Sequence, residues 1–442
     1  MSARNQRNVF RNFDWLTIGL YGVLVVLGLL NIYSTNYDPE AKTWLSFATD
    51  PGRQLIWMGI CAVLCVVILN IEGEFFIRFS VITYLSVLLL LVLVLLVGSE
   101  RNGAKAWFGI GSFGIQPSEF AKTSIALLLA WFLSRPGTKF KSLGTRLGAV
   151  AIIALPAALI MLQPDVGTIL VFIAFVFALY REGLSGNILI IGFGTVILAI
   201  VSILAGAADV NYPWFGEQSG IYVLLLVLFG LGILGMVGVS NFVLPRYRRV
   251  NYRTVVLSTL GAILLSLAVK TVVEDVMKGY QRERIYVLFG MDVTNPDADY
   301  NIRHAKAAIG SGGLTGKGYL NGPMTRYSFV PEQQTDFIFC TVGEEWGFIG
   351  GTLIIALFLT LILRIIALAE RQRSQFSRIY GYCVASILFM HVLINVGMVL
   401  GVAPVIGIPL PFFSYGGSSL LGFTVLLMIM VRLDAERFSV FR

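Results

Sequence analysis

Long apolar runs separated by short polar stretches set the pattern of this chain. A helix needs roughly 20 apolar residues to cross a bilayer core. Such runs stand at 15–34, 54–71, 78–98, 118–134, 147–163, 166–181, 186–206, 221–240, 254–273, 338–366, 379–401 and 412–432. They predict an all-α polytopic membrane protein of about twelve transmembrane helices. One long polar segment interrupts the rhythm at 274–337, and within it "NPDADYNIRHAKAAIGSGG" (295–313) mixes acids, bases and glycines.

The loops orient the spans. Counting from a cytoplasmic N-terminus, the inside connections carry Arg4, Arg7 and Arg11, then Arg78, then Arg135, Lys139, Lys141 and Arg146. Arg181 follows, then Arg246, Arg248, Arg249 and Arg253, then Arg371, Arg373 and Arg378, and the tail adds Arg432, Arg437 and Arg442. The outside connection at 207–220 has Asp209 and Glu217 and no basic residue. Lys and Arg collect in cytoplasmic loops, so both termini are expected in the cytoplasm and 274–337 outside. The chain is then a multi-pass protein of the bacterial cytoplasmic membrane, one integral membrane domain over 1–442.

Composition agrees. The 442 residues are 57% hydrophobic and 13% charged, against about 25% charged in soluble domains. The net charge of +8 is accounted for by topology, so no nucleic-acid partner is needed. Cys61, Cys65, Cys340 and Cys383 lie in or beside apolar runs without a C-x-x-C pair, which argues against a disulfide framework. His304 and His391 are the only histidines, too few for a histidine-rich metal site. The basic N-terminus leads into a run at 16–33 without a small-residue cleavage site, which reads as a retained first span.

Ionisable groups inside spans are costly and usually face a cavity. "QPSEFAKTSIALLLAWF" sets Glu119 and Lys122 at i, i+3 on one helix face, as an interfacial anchor or as part of a polar cavity. Asp165, in "LQPDVGTIL", reads either as a helix cap or as a third member of that cavity. Glu332, Asp336, Glu344 and Glu345 repeat the pattern, and Glu344 and Glu345 lie too deep in their helix to cap it. "GIPLPFFSYGGSSLLGF" is irregular backbone at membrane depth, tolerated only against protein or a water-filled cavity. The glycine-rich "GSGGLTGKG" fails as a nucleotide phosphate loop, because Ser311 stands where a glycine is required and Gly318 replaces the Ser/Thr that holds magnesium. A turn carrying Lys317 towards an anionic group remains.

Together these strings resemble the SEDS family (shape, elongation, division and sporulation), most closely its rod-shape members. The resemblance rests on "NGAKAWFGIGSFGIQPSEFAK" (102–122), "QPDVGT" (163–168), "AIGSGGLTGKG" (308–318), "VPEQQTDFIF" (330–339), "GEEWGFIGG" (343–351) and "INVGMVLGVAPVIGIPLPFFSYGGSSL" (394–420). It implies a ten-helix core, here with an additional hairpin at 207–275, and a large extracytoplasmic loop at 274–337. It also implies an inverting glycosyltransferase that polymerises lipid II, a polyprenyl-pyrophosphate-linked donor, into peptidoglycan strands. The implied partner is a class B penicillin-binding protein, alongside membrane lipids. Two alternatives stay open: a flippase for the same lipid-linked precursor, or a weakly active scaffold that activates the partner.

The family keeps its catalytic aspartate in the large loop, in a D-P element shortly before a G-x-G-Y turn. Here that position falls on Thr294, or with one gap on Asn295-Pro296, and neither residue is acidic. Asp297, Asp299 and, third, Asp292 are therefore the candidate catalytic acids. Glu119, Lys122 and Asp165 are candidates for cavity architecture and substrate contact. Arg303, Lys306, Lys317 and Arg326 are candidate clamps on the pyrophosphate, where basic groups or a divalent cation would stabilise the growing charge. Trp107, in "GAKAW", packs on lipid or sugar or anchors at the interface.

Overall fold

The computed structural model describes residues 12–37, 49–101, 104–110, 113–138, 140, 142–212, 216–277, 279, 282–283, 286 and 296–437. It forms two compact units: Met1–Leu184 with Tyr300–Arg442, and Ser185–Asp299.

In the first unit, helices α1 (Trp15–Thr35), α2 (Asp50–Asn70) and α3 (Gly73–Val97) lead into a small antiparallel sheet, β1 (Ser99–Arg101), β2 (Ala104–Ile110) and β3 (Phe113–Ile115). Ser99 pairs with Trp107 and Phe108 with Ile115. The apolar-run pattern did not foresee this sheet, because strands of three to seven residues fall below its length scale. Then come α4 (Pro117–Leu133), α5 (Leu143–Met161), α6 (Val166–Phe172) and α7 (Phe175–Arg181). Pro117 starts α4, where a missing N–H costs nothing, and Ser142 caps α5 by accepting from the Thr145 N–H at 3.2 Å.

The second unit holds α8 (Gly186–Ala207), the hairpin β4 (Asp209–Tyr212) and β5 (Gly216–Ser219), α9 (Ile221–Phe242) and α10 (Pro245–Thr271). Helix α10 runs on into one π-helical turn, Val272–Val276. Ser202 and Ser266 are buried and share a 3.0 Å hydrogen bond between α8 and α10.

The chain continues with α11 (Pro296–Gly312), α12 (Pro323–Arg326), α13 (Ile338–Glu345), α14 (Gly347–Glu370), α15 (Gln375–Val399) and α16 (Gly417–Ala435). Among the described residues ten helices are long and apolar enough to cross a membrane. The other two expected runs are the buried 17-residue α4 and the segment Val166–Arg181, which breaks into α6 and α7. There Ile173 and Ala174 bond three residues back instead of four, at 3.2 and 2.9 Å, a tightening that hydropathy does not record. The run at 338–366 also breaks, because Gly347 takes φ +67°.

Helices α4, α15 and α16 form the centre of the first unit. Almost every residue of α4 and α16 is buried, and α2, α3, α5 and α14 pack around the three. A Cβ on Gly422 would stand 3.2 Å from the Glu119 backbone oxygen, so glycine there lets α16 close on α4. Polar residues carried by α4 are thereby sealed into the core.

Candidate functional site

The i, i+3 spacing in α4 brings Lys122 Nζ to 2.8 Å from Glu119 Oε2. Both are buried, Lys122 to 1% exposure. A buried charge needs a partner and further hydrogen bonds, and α15 supplies one: His391 Nε2 lies 3.2 Å from Lys122 Nζ. The ammonium can only donate, so Nε2 accepts, and Nδ1–H faces the Pro409 carbonyl at 3.4 Å. Phe423 of α16 closes the group, with Lys122 Nζ 4.3 Å from its ring centre and the His391 ring edge-on at 4.7 Å. The i, i+3 pair is legible in the sequence, but His391 stands 269 positions from Lys122, and no local pattern announces it.

Asp165 caps α6, accepting from the Thr168 N–H at 3.1 Å and its hydroxyl at 2.9 Å. The same carboxylate accepts from Gln116 Nε2 at 2.9 Å and Ser118 Oγ at 3.2 Å. The cap therefore also ties "QPD" to the "QPSE" turn at the head of α4, which joins Asp165 to the segment bearing Glu119. The Gln116 N–H in turn donates to Ser418 Oγ at 2.8 Å, so the "GGSS" start of α16 meets the same turn.

The glycine-rich motif has a different role from a phosphate cradle. Its backbone docks on the break between α13 and α14: Lys317 N–H donates to the Glu344 carbonyl at 3.1 Å and Gly318 N–H to that of Glu345 at 3.0 Å. Phe348 and Ile349 N–H donate back to Gly313 and Leu314 at 2.9 and 3.1 Å. The two segments lie so close that a Cβ on Gly312 would stand 2.0 Å from the Gly343 oxygen, and one on Gly316 2.1 Å from the Glu345 oxygen. The anionic group that Lys317 reaches is Glu344, at 3.1 Å.

Glu344 is fully buried. Besides Lys317, it accepts from Met324 N–H at 2.9 Å, Thr325 N–H at 2.8 Å and Thr325 Oγ1 at 2.7 Å. It thus holds the start of α12. Glu345 is buried beside it and accepts from Ser34 of α1. Tyr319 donates to the Leu30 carbonyl at 2.9 Å, and burial, then the Glu345 charge, push its phenol up to about 12.

Above this anchor, α11 and α12 expose Arg303, Lys306 and Arg326. The Lys306 stem crosses Gly401, where φ is +72° and a Cβ would meet Lys306 Cε at 2.1 Å. Aromatic rings line the same segment: Tyr300 lies 4.1 Å from His304, and His304 lies 6.1 Å from Phe329 with their planes 10° apart. Tyr327 and Phe329 are 69% and 42% exposed, turned outward by Ser328 at φ +51°. Trp107 is half-buried on β2, its carbonyl accepting from Ser99 Oγ at 3.1 Å. Asp292 lies outside the described residues, and so do the side chains of Asp297 and Asp299, whose backbone forms the first turn of α11. Among the described residues no group of three His, Cys, Asp or Glu side chains could hold a metal ion.

Comparison with known proteins gives the family. A family model described as cell cycle protein (FtsW, RodA, SpoVE) matches residues 14–212 and 216–438. Peptidoglycan glycosyltransferase RodA of Treponema pallidum is 31% identical over 423 residues, covering 92% of this chain and 94% of the relative. Peptidoglycan glycosyltransferase MrdB of Escherichia coli K12 is 30% identical over 417 residues, covering 92% of each. Stage V sporulation protein E of Bacillus subtilis is 31% identical over 437 residues, covering 96% and 97%. Among solved structures, a chain from a peptidoglycan synthase complex that coordinates polymerization and crosslinking is 25% identical, with a TM-score of 0.63 over 97% of this chain and 99% of that one. The rod shape determining protein RodA of Thermus thermophilus shares the fold, with a TM-score of 0.58 at 24% identity over 97% and 98%. A match along nearly the whole chain, on a multi-pass helical fold, establishes that this protein belongs to the FtsW/RodA/SpoVE (SEDS) family.

Proposed function

We propose that this protein is a peptidoglycan glycosyltransferase. It polymerises lipid II into glycan strands at the outer face of the cytoplasmic membrane, in elongation, shape or division, with both termini cytoplasmic. The observation that carries this reading is the full-length similarity to relatives named peptidoglycan glycosyltransferase, at 30–31% identity over 92% of the chain. A class B penicillin-binding protein is the proposed partner, in keeping with the similarity to a chain of a peptidoglycan synthase complex.

In the proposed reaction the acceptor hydroxyl oxygen attacks the donor's anomeric carbon. The bond to the pyrophosphate oxygen breaks with inversion, and polyprenyl pyrophosphate leaves. A carboxylate takes the hydroxyl proton, and Asp297 or Asp299 is proposed for this, with Asp292 third. Arg303, Lys306 and Arg326, all exposed on α11 and α12, are proposed to meet the charge growing on the leaving group. Lys317 already neutralises Glu344, so its proposed contribution is to hold the turn beneath those cations. Glu119, Lys122 and Asp165 are proposed to fix the wall under the loop, with Trp107 at its edge. Glu344 is occupied by four donors and Glu119 by Lys122, so neither is available to a divalent cation.

Purified protein assayed on lipid II, with and without the partner, tests the reading. Polymer is expected, and the decisive Asp→Asn variant among 292, 297 and 299 is expected to lose about a hundredfold or more, as for a general base. Full activity in all three variants ends the loop-base assignment. Translocation of labelled lipid II without polymer would make the protein a flippase instead.

A further inference from the structure

Within the second unit the two ends of the helices differ sharply in charge. The described acids Asp209, Glu217, Glu274 and Asp275 stand at the end where α8 finishes, α9 starts and α10 finishes. The opposite end, where α8 starts, α9 finishes and α10 starts, carries Arg246, Arg248, Arg249 and Arg253. No Asp or Glu occurs between Glu217 and Glu274, nor between Ser185 and Ala208. The four arginines have no salt bridge among the described residues.

Their arrangement is not uniform around the helix. Arg246, Arg249 and Arg253 stand at i, i+3 and i+7, which is one face of an α-helix, and all three are exposed. Arg248 points elsewhere, is half-buried, and donates through Nε to the Val243 carbonyl at 2.9 Å. Arg246 lies 4.8 Å over the Tyr247 ring. Helix α10 continues from this basic turn into an apolar stretch with Val256, Leu257, Leu260, Leu264 and Leu267 exposed. An exposed apolar surface thus ends in three guanidinium groups on one side of the helix.

We propose that Arg246, Arg249 and Arg253 form a binding site for the phosphate of an anionic phospholipid. Charge selects the ligand: three cations with no salt bridge among the described residues take a net negative headgroup over a zwitterionic one. The adjoining apolar face selects a lipid over a free anion, because acyl chains lie along exposed leucines while the phosphate meets the positive charge of the arginines. Positive loops also set topology, but topology needs only the charge count on one side. It does not require three arginines on a single helix face with the fourth turned away.

Native mass spectrometry of the full chain, released from mixed phosphatidylethanolamine, phosphatidylglycerol and cardiolipin, reads lipid retention directly and independently of any polymerase activity. Retention of phosphatidylglycerol or cardiolipin over phosphatidylethanolamine is expected. The R246Q/R249Q/R253Q variant should lose that preference by tenfold or more, from about fivefold per arginine near an anionic surface. The matching triple Lys variant should stay within a few fold of wild type, and R248Q should be unchanged. Equal retention of the zwitterionic lipid, undiminished retention in the triple Gln variant, or loss in the triple Lys variant as complete as with Gln would overturn the site. Displacement by 10 mM inorganic phosphate would also overturn it, marking a simple anion patch.

Discussion

Lys317 reaches across the glycine turn to Glu344, with Nζ 3.1 Å from Oε1. The two ends of this pair are unequal: the Glu344 side chain is fully buried, while that of Lys317 is 29% exposed. Glu344 also satisfies two backbone donors and a hydroxyl of α12. Replacing Glu344 by Gln puts an NH2 group among donors, and the expected loss is about 3 kcal/mol. Lys317→Ala leaves the other three donors in place and is expected to cost about 1 kcal/mol. Thermal unfolding of both variants in detergent checks the order. A Glu344→Gln protein as stable as wild type would show that Glu344 does not hold the loop.

The turn itself should tolerate no side chain. Gly316 and Gly347 have φ of +77° and +67°, and a Cβ on Gly347 would stand 2.2 Å from the Gly316 nitrogen. Left-handed backbone alone costs an L-residue about 1–2 kcal/mol, and here the displaced neighbours are backbone. Gly347→Ala is expected to destabilise by more than about 3 kcal/mol. Gly310→Ala, on the open side of α11 with nothing within 4 Å of its Cβ, should be tolerated. Equal melting temperatures for the two variants would refute the backbone-contact account.

The contrast between those two glycines shows what the sequence can convey. "AIGSGGLTGKG" and "GEEWGFIGG" were legible as motifs because glycine, lysine and acid cluster at fixed positions. Their mutual docking was not, since backbone hydrogen bonds between Gly313 and Phe348 leave no trace in side-chain pattern. The same division runs through the membrane part. Glu119 and Lys122 share a face by spacing alone, whereas His391 and Phe423 come from distant helices that only packing brings in. Asp165 could be read as a cap from its neighbours, but its bonds to Gln116 and Ser118 depend on where α4 starts. Apolar runs located the helices and missed the breaks at Ile173 and Gly347, which are conformational rather than compositional. The expected sidedness rests on arginine counts alone, because charge in loops is a bulk property of the chain.

The Glu119–Lys122 pair offers a test of how buried charge is tolerated. Removing either partner strands the other beside His391 and Phe423, so Lys122→Met and Glu119→Gln are each expected to cost about 3–5 kcal/mol. The double variant removes both charges and should be more stable than the sum of the singles predicts, with a coupling of about 1–3 kcal/mol. Melting temperatures of the three proteins in one detergent supply the cycle. Additive losses would mean that Glu119 and Lys122 do not compensate one another.

Asp14 gives the pH dependence. It caps α1, accepting from the Thr17 N–H at 3.1 Å and its hydroxyl at 2.5 Å, and it meets Arg364 from α14. Burial raises its carboxyl, but the Arg364 guanidinium and Thr17 together outweigh that and hold it at about 2, below the ordinary 3.8. A depressed carboxyl stabilises the fold above the unfolded value and loses that contribution as pH falls through the folded one. The gap corresponds to about 2 kcal/mol at neutral pH. Asp14→Asn should therefore melt below wild type by a constant margin from pH 7 to about pH 5, the flat upper side of the titration. The margin should close as pH falls from about 4 towards 2, where the carboxylate of the wild-type protein takes up its proton. Other carboxylates titrate in both proteins and cancel in the difference. A margin that stays constant down to pH 2 would show that Asp14 acts through its shape as a cap and not through its charge.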